Sequence, residues 1–179
     1  LGGSPAVWNT SLAFYQGALL IGYAYVHYLG SWIGIKRQAL LHLGLVLAAI
    51  LLLPVTLPMR WFSAPAEYPT RVVLGALTVS IGFPFFVIAA GAPLLQKWFA
   101  PSRHNAARDP YFLYAASNAG SLAGLLAYPT LIEPNLTLNQ QNYCWFSAYL
   151  VLAVLIVLCL LAYLRSLPLA VADADGDGI

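Results

Sequence analysis

Charged side chains are scarce in this chain of 179 residues. It carries 8 Lys+Arg and 6 Asp+Glu, which makes 8% charged residues, and 61% of its residues are hydrophobic. Soluble domains carry about 25% charged residues, so the composition excludes a water-soluble globule. A formal net charge of +2 is too small for the basic surface that nucleic-acid binding needs. The expected partner is therefore the lipid bilayer, and nucleic acid is not expected as a partner.

Cysteine and catalytic motifs are scarce as well. The two cysteines, Cys144 and Cys159, lie in one apolar stretch, so neither a disulfide framework nor a cysteine-based metal site is indicated. The sequence contains no HExxH and no CxxC, and no nucleophile and base are spaced so that they converge on one pocket. An enzyme is therefore not predicted for this chain alone.

The few charges separate long apolar segments. A membrane span needs about 20 apolar residues, and its backbone must form a helix because lipid offers no hydrogen bonds. We predict an all-α, polytopic integral membrane helix bundle over residues 1–165, followed by a polar acidic tail over 166–179. The predicted spans are 6–29, 39–57, 72–95, 110–132 and 143–164. Pro84 and Pro93 predict a kink in the third span.

The distribution of basic residues predicts an orientation. If the chain crosses the membrane five times, one side receives Lys36, Arg37, Lys97, Arg103, Arg108 and Arg165, and the other side receives Arg60 and Arg71. Because Lys and Arg are retained on the cytoplasmic side, the richer side is predicted to be cytoplasmic. The first residues then lie on the outer side of the membrane and the C-terminus lies in the cytoplasm.

Three long blocks carry a family resemblance. They are GGSPAVWNTSLAFYQGALLIGYAYVHYL, PFFVIAAGAPLLQKWFA and ARDPYFLYAASNAGSLAGLLAYPTLIEP. These blocks resemble the membrane part of bacterial spermidine synthase-like proteins, which are fused major-facilitator-like and spermidine-synthase-like chains. The resemblance implies the bacterial inner membrane and half of a twelve-helix, major-facilitator-like body. It also implies that the first helix of that half is absent from this chain.

The resemblance does not extend to the enzymatic domain of the family. The family's soluble, Rossmann-like domain would bind decarboxylated S-adenosylmethionine and a polyamine, and no GxGxxG after a strand is present here. We therefore expect a non-enzymatic membrane module, either the anchor of a spermidine-synthase-like protein or a subunit of a larger membrane complex with other membrane chains. One alternative is half of a transporter for a small polar or cationic solute. Aminopropyl transfer would require an attached soluble domain.

The fourth span contains the most distinctive candidate residues. Its centre is rich in small and polar side chains, and the candidates are Ser117, Asn118, Gly120, Ser121 and Gly124. The GxxxG spacing puts two bare backbone patches on one helix face, and an amide in lipid seeks a hydrogen bond from another helix. We predict a helix-packing face, with a polar substrate contact as the alternative.

The remaining candidates are weaker. His27 and His42 are possible ligands of haem or a chlorophyll-type pigment, or else ordinary interfacial histidines, and no cofactor is predicted. Lys97, Arg103 and Arg108 form a basic loop that would attract anionic lipid or a partner, although cytoplasmic retention alone explains it. Asp173, Asp175 and Asp177 reproduce half of a calcium loop, and a flexible acidic tail is the alternative.

Overall fold

The computed structural model describes residues 4–55, 69–100 and 111–166. Within these ranges the chain forms α-helices and two short π-helical segments, and no strand. The helices are α1 (Pro5–Ile50), α2 (Pro69–Leu77), α3 (Phe83–Phe99), α4 (Tyr111–Ala127) and α5 (Leu138–Ser166). Predictions that concern Arg60, Arg103, Arg108 and the acidic tail with Asp173, Asp175 and Asp177 lie outside the described residues.

Helix α1 reverses direction at Gly34. Gly34 has φ 74° and ψ 163°, a conformation that is essentially restricted to glycine. Gln38 Nε2 donates a hydrogen bond of 3.1 Å to the carbonyl oxygen of Val26, although 12 residues of straight helix would separate them by about 18 Å. Residues 5–33 and 35–50 are therefore two antiparallel limbs, which we call the first and second limb.

The second limb ends earlier than the predicted span. Its last helical residue is Ile50, whereas the sequence predicts helix to residue 57. The physical reason is Pro54, because a proline lacks the amide hydrogen and its ring clashes with the carbonyl group four residues earlier, which here belongs to Ile50. The connection between the first two spans is also shorter than predicted. The sequence predicts a loop between residues 29 and 39, whereas only Gly34 departs from helical geometry there.

The third predicted span is one helical rod of three pieces. A π-helical segment, Thr78–Gly82, joins α2 to α3, and Pro84 follows in the first turn of α3. The disturbance expected from proline thus takes the form of a π turn, which rearranges the backbone hydrogen bonds that a proline interrupts. A second π segment, Tyr128–Ile132, extends α4 and contains Pro129.

Helix α3 packs against the first limb through small residues. A Cβ added to Gly22 would lie 3.2 Å from the backbone carbon of Ala89, 3.2 Å from its Cβ and 3.2 Å from the backbone nitrogen of Ala90. Ala89 and Ala90 are themselves buried. Small residues let helix backbones approach closely, which is how membrane helices gain packing energy.

Contacts between helix ends define two ends of the bundle. Lys97, near the end of α3, reaches Val26 in the last third of the first limb, and Phe99 packs on Phe112 at the start of α4 with ring centroids 5.3 Å apart. We call this the basic end. At the other end, Tyr128 donates a hydrogen bond of 3.3 Å to Gln141 at the start of α5. We call that the distal end.

Three helical rods are long and apolar enough to cross a membrane. Among the described ranges they are Pro5–Ile50, Thr70–Phe99 and Leu138–Tyr163. Many large apolar side chains on these rods are exposed, among them Leu20, Trp32 and Leu155, as is expected where the surrounding is hydrocarbon rather than water. The described part of the chain is therefore all-helical, and its three apolar rods are those of a membrane protein.

Candidate functional site

A cluster of polar groups is buried between the two limbs and α3 at the basic end. Gln38 is fully buried and Lys97 is half-buried. Both side chains donate to the same acceptor, the carbonyl oxygen of Val26, at 3.1 Å from Gln38 Nε2 and 3.2 Å from Lys97 Nζ. The acceptor lies on the first limb, Gln38 on the second and Lys97 on α3. One carbonyl group therefore joins three helical segments.

Gly30 makes this convergence possible. A Cβ at Gly30 would overlap Lys97 Nζ and would lie 2.5 Å from Gln38 Oε1. The absence of a side chain thus opens the space in which the ammonium and the amide reach the first limb. The Oε1 atom of Gln38 is buried and has no hydrogen-bond partner within the described part of the chain, so the cluster retains one unsatisfied acceptor.

The charge of Lys97 has no acidic partner in the described ranges. The one acidic side chain there is Glu133, which follows the π segment of α4 at the distal end. The basic end also carries Lys36 and Arg37 beside Gly34, both exposed. This end of the bundle is therefore strongly positive.

His42 lies one helical turn beyond Gln38 on the same buried face. It is 1% exposed, and its ring centroid is 6.0 Å from that of Tyr25 on the first limb. Both ring nitrogens of His42 and the hydroxyl of Tyr25 are buried without a hydrogen-bond partner in the described residues. Such groups are costly in a membrane interior and mark it as a candidate site.

The two histidines do not share a site. His27 is exposed on the bundle surface, where its ring packs edge-on against Tyr28 with centroids 5.1 Å apart, whereas His42 lies inside. Ligation of a haem or pigment by either histidine stays a prediction. Across residues 4–55, 69–100 and 111–166, no three side chains of His, Cys, Asp or Glu are grouped closely enough to hold a metal ion.

The predicted packing face on α4 is exposed. Helix α4 and its π segment contain no buried residue, and a Cβ added to Gly120 or Gly124 would meet nothing within 4 Å. Ser121 donates a hydrogen bond of 3.0 Å to the carbonyl oxygen of Ser117 in its own helix, and Asn118 is exposed. Within the described chain this face has no helix against it, so its packing stays a prediction about another chain or segment.

Sequence reasoning missed Gln38, Gly30, Tyr25 and Asn142. Asn142 of α5 binds both backbone polar groups of Val55, and Gln38 binds the backbone of Val26. Every residue offers backbone polar groups, so the sequence contains no pattern that predicts these contacts between distant segments. The available signal for Gln38 and His42 was their spacing of four residues, which places two polar side chains on one face of an apolar helix.

The comparisons with known proteins add no relative. No family model, no curated protein and no solved structure matches this chain. The function is therefore argued from the geometry and the sequence.

Proposed function

We propose that this chain is a non-enzymatic, multi-pass membrane module whose α4 face binds another membrane chain or domain. The exposure of α4 carries this proposal. Asn118 lies in the middle of that helix, and no other helix among the described residues reaches its amide. An amide turned towards hydrocarbon leaves several hydrogen-bonding groups unsatisfied. A second helix against Gly120 and Gly124 removes this cost by bringing backbones and polar groups together.

Five membrane crossings are part of the proposal. The reversal at Gly34 divides the first rod into two antiparallel limbs, which supports counting it twice. Residues 111–132 start near Phe99 at the basic end and finish beside Gln141 at the distal end. Those 22 residues would extend about 33 Å as a helix, against a hydrocarbon core of about 30 Å.

The orientation follows the positive-inside rule. Lys36, Arg37 and Lys97 lie at the basic end. Arg165 joins them, because Asn142 near the start of α5 lies beside Val55, and Arg165 follows it by 23 residues of helix, about 35 Å, towards that end. Among the described cations, Arg71 alone lies at the distal end, next to Thr70 at the start of α2. The proposed orientation has the basic end and the C-terminus in the cytoplasm of a bacterial cell, with the module in its inner membrane.

Two versions of the module differ in what α4 binds. The sequence blocks that resemble spermidine synthase-like proteins support a membrane anchor, with α4 against the remaining helices of a larger, major-facilitator-like body. The second version is a subunit of a larger membrane complex. Aminopropyl transfer belongs to the proposal only where a soluble domain is attached.

Blue-native electrophoresis and mass spectrometry of protein extracted from its own membrane in mild detergent test the proposal. We expect a complex larger than the single chain with stoichiometric partner chains, and we expect the Gly120→Leu, Gly124→Leu double variant to dissociate it. Gly44→Leu is the matched control, because Gly44 also has nothing within 4 Å of an added Cβ but lies on the second limb. A parent protein that runs as one chain of this length without partners, or a double variant that keeps its full complex, would overturn the proposal.

A transporter half is the second candidate, and the buried polar cluster favours it. Unsatisfied polar groups of Gln38 and His42 and the charge of Lys97 lie between three helical segments. Polar side chains inside a bundle are typical of solute pathways. Uptake of labelled polyamine into proteoliposomes tests this function. We expect the Gln38→Leu and His42→Leu variants to lose uptake, while His27→Leu, on the exposed surface, keeps it. Uptake equal to that of empty liposomes would exclude this candidate for polyamines.

A further inference from the structure

Three aromatic side chains from three separate helices line one cavity near the distal end. The cavity has a volume of about 440 Å³, and its lining residues are Tyr15, Val55, Ile81, Phe85, Asn142 and Trp145. Tyr15 comes from the first limb, Phe85 from α3 and Trp145 from α5. We call Tyr15, Phe85 and Trp145 the aromatic cage.

We propose that the aromatic cage binds an organic ammonium group of the quaternary type. Aromatic faces carry negative electrostatic potential and attract such cations, and cages of aromatic rings are how proteins recognise them. This inference is independent of the function proposed above, because it concerns neither α4 nor the buried polar cluster.

The geometry of the rings supports a cage rather than a stack. Tyr15 and Phe85 meet edge to face, with ring centroids 4.9 Å apart and an interplanar angle of 66°. In such a contact the edge of one ring covers one face of the other, and the remaining faces are those that a cation can approach. Trp145, which is 38% exposed, lines the same cavity from α5, and indole is the strongest cation-binding ring among the side chains.

The charges around the cavity favour a cation. No lysine, arginine or histidine lines it. Lys36, Arg37 and Lys97 belong to the basic end, and Arg71, the described cation at the distal end, is not among the lining residues. Glu133, the one acidic side chain of the described ranges, follows α4 at the distal end. A positive group that enters here therefore meets aromatic rings without repulsion from the lining.

The amide of the lining is already engaged, which leaves the aromatic rings to bind the ligand. Both atoms of the Asn142 amide bond to Val55, at 3.0 Å to its nitrogen and 2.9 Å to its oxygen. The remaining surface offers apolar walls and ring faces. A quaternary ammonium suits such a site because it has no N–H groups that need acceptors, and a volume near 440 Å³ is ample for one.

Two sources supply this chemistry, namely a choline lipid headgroup and a free quaternary solute. The experiment uses purified protein in dodecyl maltoside. Choline chloride is titrated against an equal concentration of sodium chloride, with tryptophan fluorescence as the readout. A second arm compares vesicles of phosphatidylcholine with vesicles of phosphatidylglycerol that carry the same acyl chains. Saturable binding of free choline identifies a solute ligand, and a response only to phosphatidylcholine identifies a headgroup; both support the proposal.

Variants and a neutral ligand make the test decisive. We expect Phe85→Leu and Tyr15→Leu to weaken binding roughly three- to thirtyfold each, whereas Tyr15→Phe keeps the ring and the affinity. Trp145→Phe should keep binding but lose most of the fluorescence change. The control is Trp32→Phe, since Trp32 is 81% exposed and lies outside the cage. Equal binding of 3,3-dimethylbutanol, the uncharged analogue of choline, or no response in either arm, would overturn the proposal.

Discussion

Asn142 binds the backbone of Val55 with both atoms of its side-chain amide, across 87 residues of sequence. The Val55 N–H donates to Oδ1 at 3.0 Å, and Nδ2 donates to the Val55 carbonyl oxygen at 2.9 Å. Val55 follows the second limb, where the chain has left the helix and its backbone groups have no helical partners. The amide thus provides hydrogen-bond partners for the backbone N–H and carbonyl groups of Val55, and it joins α5 to the hairpin of α1.

Replacing Asn142 should therefore destabilise the bundle. We expect Asn142→Leu to cost about 1–3 kcal/mol, because two backbone groups lose their partner. Asn135→Leu is the matched control, since the side chain of Asn135 donates to Leu131 in its own segment and is exposed. Thermal unfolding in detergent, followed by circular dichroism, measures both variants. Equal midpoints for the two would contradict the role given to Asn142.

The close approach of the first limb and α3 predicts that leucine substitutions at two glycines differ in their effect on stability. Gly22→Leu should destabilise by about 1–3 kcal/mol or more, because its side chain would collide with the backbone of Ala89 and Ala90. Gly44→Leu should change stability by no more than about 0.5 kcal/mol, since nothing lies within 4 Å there. Unfolding in detergent with increasing dodecyl sulfate compares them. A loss at Gly44 as large as that at Gly22 would contradict the packing described.

The contact between Lys97 and Val26 predicts non-additive effects. Gly30→Ala should displace the Lys97 ammonium and cost about 1 kcal/mol, the value of one hydrogen bond. Lys97→Met should cost a similar amount alone and add little to Gly30→Ala, because both changes remove the same bond. Gly91→Ala, which has free space around its Cβ, should combine additively with Lys97→Met. A double-mutant cycle on unfolding free energies measures this, and additivity in the Gly30 cycle would argue against a shared contact.

The proposed orientation can be tested by cysteine labelling in whole cells. The background is a variant in which Cys144 and Cys159 are replaced by serine. We expect Asn135→Cys, at the distal end, to react with a membrane-impermeant maleimide in cells with a permeable outer membrane. Lys36→Cys should react only after the inner membrane is opened. The opposite pattern would reverse the topology, and labelling of both sites in intact cells would contradict a span between them.

The sequence predicted the membrane class and the region of the first reversal from its charges. Lys36 and Arg37 interrupt an apolar run, and the chain turns beside them at Gly34. The sequence could not predict which polar residues meet, because Gln38, Lys97 and Asn142 all bind backbone groups of distant segments. It singled out Asn118 and Gly124 as a packing face, while the tight contact within the described chain is at Gly22. The packing of α4 stays a prediction.

The reversal at Gly34 also bears on how the chain is made. The hairpin of α1 is complete by residue 50, so Gln38 can reach Val26 while the ribosome is still translating the segments that follow. The two limbs can then enter the bilayer as a preassembled pair, each shielding the polar groups of the other. Lys97 is translated later, as part of α3, and then donates to the carbonyl oxygen of Val26, which the hairpin has already positioned.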